Sequence, residues 1–309
     1  MDNFLVAATA RFVCPGRPLV TALAAALVLT SAANAQNPSQ LARIEALNLE
    51  VMKVGRVTTY QAPGDRERAE QLARRAEEAA AFFERELGVS FDFRLAALAP
   101  NQWFSPYGND LPYGIPWASV TERLIIVPAS WREGALIQGR DESYNRRMIE
   151  FVMIHEFGHI ANKQYYHPTS THEEFPVLWF EELVASYFAY AYARSTDPQW
   201  TESARKNWTA TVKSYSPRVL SLDWGFMRSL PGPELAQTYG WYQLVLNLRV
   251  VDVHAEHGLA FLRAIKAFPF DTLANWTTES LLARLEQIAP GFQRWADTLQ
   301  SGKKRPGNN

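Results

Sequence analysis

The 309-residue chain is long enough for about two structural units, and its 47% hydrophobic and 20% charged residues fall in the globular range. With 16 Gly and 18 Pro it is neither collagen-like nor disordered, and 31 basic against 32 acidic residues, scattered along the chain, supply no basic field for a nucleic acid partner. A single cysteine, Cys14, excludes an intramolecular disulfide and any cysteine-based metal cluster.

In chain order, residues 1–35 read as a secretory signal peptide. Arg11 and Arg17 precede the apolar run Leu19 to Leu29, and Ala33-Asn34-Ala35 is a small-x-small cleavage site. The run has roughly half the ~20 residues that a spanning helix needs, so no stable membrane insertion is expected after cleavage behind Ala35. Cys14 lies before the apolar core, where a lipoprotein cysteine would follow it. Cleavage leaves a cysteine-free chain of net charge −2, suited to the periplasm or the exterior.

Residues 65–87 predict a helix, with Asp65 as N-cap, strong helix formers throughout and Gly88 as the stop. Segment 91–98 alternates like a strand, and Leu124 to Val127 is a short buried strand closed by Pro128. Between them, residues 100–118 form a loop rich in Pro, Gly and aromatics. Helical patterns then cover about 143–164, 178–194, 237–256, 259–267 and 279–299, and the tail 301–309 reads as disordered. A strand-bearing first half gives way to a helical second half. This predicts an α/β lobe over 36–165 and a helical lobe over 166–300.

Chemistry concentrates in His155-Glu156-Phe157-Gly158-His159. On a helix, positions i and i+4 lie on one face about 6 Å apart along the axis, so two imidazoles can reach one metal while Glu156 flanks it as a base. Met148, Phe151 and Val152 precede the motif at helical spacing and make this a buried helix. A third ligand at 162 to 165 of the His-x-x-Gly-x-x-His type is absent, because Asn162 and Tyr165 stand there. A carboxylate from a second helix remains: Glu181 and Glu182 lie amid Trp179, Phe180, Leu183, Val184 and Tyr187, and buried acids among such neighbours need a partner. The competing interpretation places both acids on the exposed stripe of an ordinary amphipathic helix.

HEFGH followed by WFEELVASY resembles the gluzincin metallopeptidases, in particular the secreted bacterial peptidase-MA-like proteins. The resemblance implies an α+β zincin-like fold, with a small mixed β-sheet lobe carrying the HExxH helix and a mainly helical C-terminal lobe. It implies one Zn²⁺ per chain held by His155, His159 and Glu182, with Glu181 on the variable position. Ala185 and Tyr187 match the small residue and the aromatic that follow the ligand in these proteins. Ser186 departs from the pattern: relatives often carry an acid there that orients a metal-bound histidine, and a hydroxyl raises ligand basicity less. Residues 114–119 sit where zincins have the edge strand that pairs with substrate. Tyr239-Gly240-Trp241-Tyr242-Gln243 is similar to the segment whose Tyr stabilises the oxyanion, with Tyr239 first and Tyr242 second in line.

The expected activity is hydrolysis of peptide or protein substrates outside the cytoplasm, with Glu156 and Tyr239 catalytic. Two His plus one carboxylate suit other first-row metals too, and the motif favours zinc. The rival from another class is a noncatalytic gluzincin-fold binding or assembly module of the cell envelope. His167 and His172 read as loop residues, and His254 and His257 as cations at a helix C-terminus.

Overall fold

The computed structural model describes residues 39–103, 113–130, 142–166, 177–214, 222, 232–270 and 276–301. The signal segment, residues 104–112 of the 100–118 loop, His167, His172 and residues 302–309 lie outside them. After a short helix α1 (Gln40–Glu45), strands β1 (Glu50–Val54) and β2 (Val57–Gln61) form an antiparallel hairpin. The long helix α2 (Arg66–Leu87) follows and leads to β3 (Arg94–Leu98). Strands β4 (Trp117–Ser119) and β5 (Leu124–Pro128) complete a five-stranded sheet of order β1-β2-β3-β5-β4. The pairs β2/β3 and β3/β5 are parallel and β4/β5 is antiparallel, so the sheet is mixed, and β4 is its edge on the side of β5.

Among the described residues, all later elements are helices: α3 (Glu142–Tyr166), α4 (Leu178–Thr196), α5 (Pro198–Ser214), α6 (Gly232–His257), α7 (Ala260–Ile265), α8 (Thr278–Ile288) and α9 (Phe292–Ser301). The architecture is therefore α+β, with a small sheet and a mainly helical remainder. No helix among the described residues is long and apolar enough to cross a membrane.

Local chemistry explains most boundaries. Gly88 closes α2 in the left-handed conformation, φ 70°, which a side chain would resist. Pro198 follows the end of α4 at Thr196 and opens α5, where its missing N–H is one of the helix's unpaired first-turn donors anyway. The single helix expected over 279–299 is two, because Pro290 and Gly291 interrupt it. The Glu286 carboxylate then accepts the N–H groups of Gly291 and Gln293 and starts α9. Ser301, expected in the tail, is the last residue of α9.

The buried apolar residues form one continuous cluster running from Ile44 to Leu299. Strand β5 is buried at every position, as a central strand covered on both faces must be. The closest helix packing is that of α3 on α4. A Cβ built on Gly158 would lie 2.7 Å from the Cα and carbonyl oxygen of Ala185, so the two backbones meet where only glycine fits.

Candidate metal centre

Helix α3 is buried at every residue from Phe151 to Asn162, and that stretch contains His155, Glu156 and His159. Because α4 approaches at Gly158, between the two histidines in sequence, the Glu182 side chain reaches them directly. His155 Nε2 lies 3.1 Å from Glu182 Oε2, His159 Nε2 lies 3.2 Å from His155 Nε2, and His159 Nε2 lies 3.8 Å from Glu182 Oε2. Bonds of ~2.0–2.1 Å to a tetrahedral zinc imply ligand-to-ligand separations of ~3.4 Å. The three atoms bracket that value, and Glu182 is 2% exposed.

The other face of each ring is also engaged. Ser186 Oγ is 3.3 Å from His155 Nδ1, and Glu181 Oε1 is 3.3 Å from His159 Nδ1. Both Nδ1 atoms thus have polar partners that fix the ring, while both Nε2 atoms meet each other and Glu182. Two imidazole nitrogens and a carboxylate oxygen converging in this way form a donor set that fits a zinc ion.

Glu156 also offers an oxygen, within 4.8 Å of the ligand atoms of both histidines; His155, Glu156 and His159 form the one such group of three among the described residues. Glu182 Oε2 lies nearer to those nitrogens, which makes Glu182 the ligand candidate and leaves Glu156 one step behind. The N–H of Ala118 on the edge strand β4 faces the Glu156 carboxylate and favours its anion. Burial pushes the Glu156 carboxyl up to about 8, with His159 pulling it down and Glu182 adding to the rise.

Burial also opposes charge on His159, but Glu182 and Glu181 outweigh it and raise this imidazole to about 10, whereas burial wins at His155 and lowers it. Burial raises the Glu182 carboxyl, yet His159, His155 and the Gln243 amide together hold it below its ordinary value.

Helix α6 contributes the third wall. Gln243 Nε2 donates to Glu182 Oε2 at 2.6 Å and to the Tyr239 hydroxyl at 2.7 Å, spending both amide hydrogens. Burial and the nearby Glu182 and Glu156 carboxylates push the Tyr239 hydroxyl well above its ordinary pKa, so it remains a proton donor. Tyr242, the second tyrosine candidate, packs edge-on against Trp241 and is fully buried. His254 packs on Tyr187 and Tyr190, and His257 pairs with Glu256 at 3.6 Å.

The structure thus brings together His155, Glu156, His159, Glu182 and Tyr239. Sequence reasoning missed Gln243, the Ala118 N–H and the role of Gly158. A polar residue one turn beyond Tyr239 on an apolar helix was the readable sign of the first.

No protein-family model matches the sequence, and no curated protein sequence matches it. Among solved structures, it is similar to an M1 zinc metallopeptidase mutant from Deinococcus radiodurans bound to a Tyr-Ser-Ala substrate (14% identity, TM-score 0.45, covering 84% of this chain and 52% of that one). It is similar also to a two-domain M1 zinc metallopeptidase mutant bound to L-tryptophan (15% identity, TM-score 0.45, the same coverage). A third is yeast LTA4 hydrolase in complex with bestatin (12% identity, TM-score 0.48, 84% of this chain and 40% of that one). The chain spans about half the length of the two M1 structures.

Proposed function

We propose that the chain is an exported zinc-dependent metallopeptidase of the gluzincin type, acting on peptide or protein substrates in the periplasm or outside the cell. One observation carries the reading: the triangle of His155 Nε2, His159 Nε2 and Glu182 Oε2, buried and sized for one small cation. In this reading those three residues hold Zn²⁺, the site lies at the seam of lobes 36–165 and 166–300, and the signal segment 1–35 is removed.

Bound there, zinc would act as a Lewis acid that acidifies water and polarises a carbonyl. The protein's own groups do the rest. Glu156, oriented by the Ala118 N–H, accepts the proton of the attacking water at its carboxylate and returns it to the leaving amine. Its burial keeps both protonation states within reach near neutral pH. Tyr239, held by Gln243, donates its O–H to the oxygen on which charge develops. Edge strand β4 offers backbone groups to an extended peptide, which would bring the scissile bond beside Glu156. A noncatalytic envelope module would have no use for a base buried at 4% exposure and oriented by the edge strand.

The test is metal content and hydrolysis of unfolded protein by wild type, Glu182→Ala and Glu156→Gln. Wild type is expected to carry about one zinc per chain. Glu182→Ala loses zinc and activity, and Glu156→Gln keeps zinc and loses activity by ~10²-fold or more. A wild-type protein that binds no zinc after refolding with the metal overturns the enzyme assignment. Zinc retained in Glu182→Ala moves the third ligand elsewhere.

A further inference from the structure

The Nδ1 atoms of the two histidines meet different partners, the Ser186 hydroxyl at His155 and the Glu181 carboxylate at His159. We propose that Glu181 is the positioning carboxylate of this centre, accepting the Nδ1–H of His159, so that the anionic support of the ligand set rests on the second histidine instead of the first. The proposal rests on the zinc site proposed above and goes beyond it by assigning a role to the residue beside the third ligand.

Glu181 Oε1 lies 3.3 Å from His159 Nδ1, and the Glu181 side chain is 13% exposed. Its contact is on the far side of the ring from Nε2, the atom that faces His155 and Glu182. Glu181 therefore cannot join the ligand triangle while the ring keeps this orientation. With Nδ1–H donated to a carboxylate, His159 is fixed in the tautomer whose Nε2 lone pair is free for a metal, and that nitrogen becomes more basic. At its Nδ1, His155 meets the Ser186 hydroxyl at 3.3 Å, a neutral partner. Adjacent residues of α4 thus divide the labour: Glu182 turns toward the Nε2 atoms, and Glu181 backs His159.

The experiment measures zinc affinity by chelator competition for wild type, Glu181→Gln, Glu181→Ala and Ser186→Ala, alongside the visible absorption of each cobalt-substituted protein. The expected loss is ~10- to 100-fold for Glu181→Ala. It is smaller for Glu181→Gln, which keeps an oxygen acceptor without the charge, and only a few-fold for Ser186→Ala. The cobalt bands shift in the Glu181 variants, and the ¹⁵N-histidine spectrum of the zinc form loses one downfield imidazole N–H in Glu181→Ala and retains it in Ser186→Ala. Glu181→Gln is nearly isosteric and guards against a folding defect in the alanine variant. Unchanged affinity and unchanged cobalt spectra in both Glu181 variants overturn the proposal while leaving the zinc site standing. Loss of zinc in Glu181→Ala with full retention in Glu182→Ala makes Glu181 the ligand and overturns both.

Discussion

Helices α2 and α3 are of similar length, 22 and 25 residues, and both carry charged and polar groups, yet they dispose of them in opposite ways. In α2 the buried positions Ala69, Leu72, Ala73, Ala76, Ala80 and Phe83 form one stripe, charged residues such as Arg74, Glu78 and Arg85 face solvent, and the buried charge of Arg68 at the edge of that stripe is answered by Glu150 at 3.9 Å. Its ion pairs, such as Glu70 with Arg74 and Arg75 with Glu78, lie on the surface and contribute little to stability. In α3 the stretch from Phe151 to Asn162 has no solvent side at all, and an acid and two imidazoles are buried with the apolar residues. Burial of such groups costs stability unless they are partnered. A helix bears that cost where the groups have work to do, and the contrast with α2 locates the work.

The sharpest way to break the contrast is at Gly158. An added methyl there would meet the backbone of Ala185 at 2.7 Å, and backbone cannot step aside as a side-chain tip can. Gly158→Ala should push α4 away from α3, separate Glu182 from the histidines and abolish zinc binding. It should also lower stability by ~3 kcal/mol, the upper end for overpacking. Zinc titration and thermal melting read the two effects. Gly88→Ala is the matched change at the end of α2: it strains one exposed left-handed residue, costs ~1 kcal/mol and spares the site. Normal zinc binding by Gly158→Ala would mean that the close approach of α3 and α4 does not set the ligand geometry.

Next in size is Tyr239→Phe. Removing one donor to a developing oxyanion typically lowers kcat by ~10²- to 10³-fold, and the ring stays to fill its space. Zinc content and KM should change little, because Gln243 still donates to Glu182. A loss confined to KM would turn Tyr239 into a substrate-binding residue and leave oxyanion stabilisation to another group.

Much of this was legible in the sequence, for reasons that differ between elements. The stripe of α2 and its Gly88 stop read directly, and so did the register of His155 and His159, because both depend only on helical periodicity. Strand β5 announced itself as a run of apolar β-formers ended by Pro128. The hairpin of β1 and β2 was missed although Val57-Thr58-Thr59-Tyr60 is rich in β-formers, since Glu50 to Val54 is an edge strand whose mostly exposed side chains carry no burial pattern. Helix α5 was missed because its buried residues are sparse, Thr201, Ala204 and Trp208. The contacts of Glu181, Gln243 and the Ala118 N–H depend on how α3, α4, α6 and β4 cross, which no local spacing encodes.

The last expected effect is on stability alone and bears on the same contrast. In the metal-free protein, burial lifts the Glu156 carboxyl to about 8, against an ordinary value of 4.5. The native state therefore holds this proton more tightly than the unfolded chain does. Folding takes up a proton between pH 4.5 and 8, so the group's contribution to stability falls as pH rises through that window and is least favourable above 8. A glutamine cannot ionise. Glu156→Gln should match the metal-free wild type below pH 4.5 and melt a few degrees higher above pH 8, the gap widening between the two. On α2, Glu70→Gln removes one exposed partner of Arg74 and should shift melting by about a degree at most. A Glu156→Gln protein less stable than wild type at pH 8.5 would mean that the Ala118 N–H and His159 hold the carboxylate comfortably as an anion, and that α3 buries its polar groups at no cost.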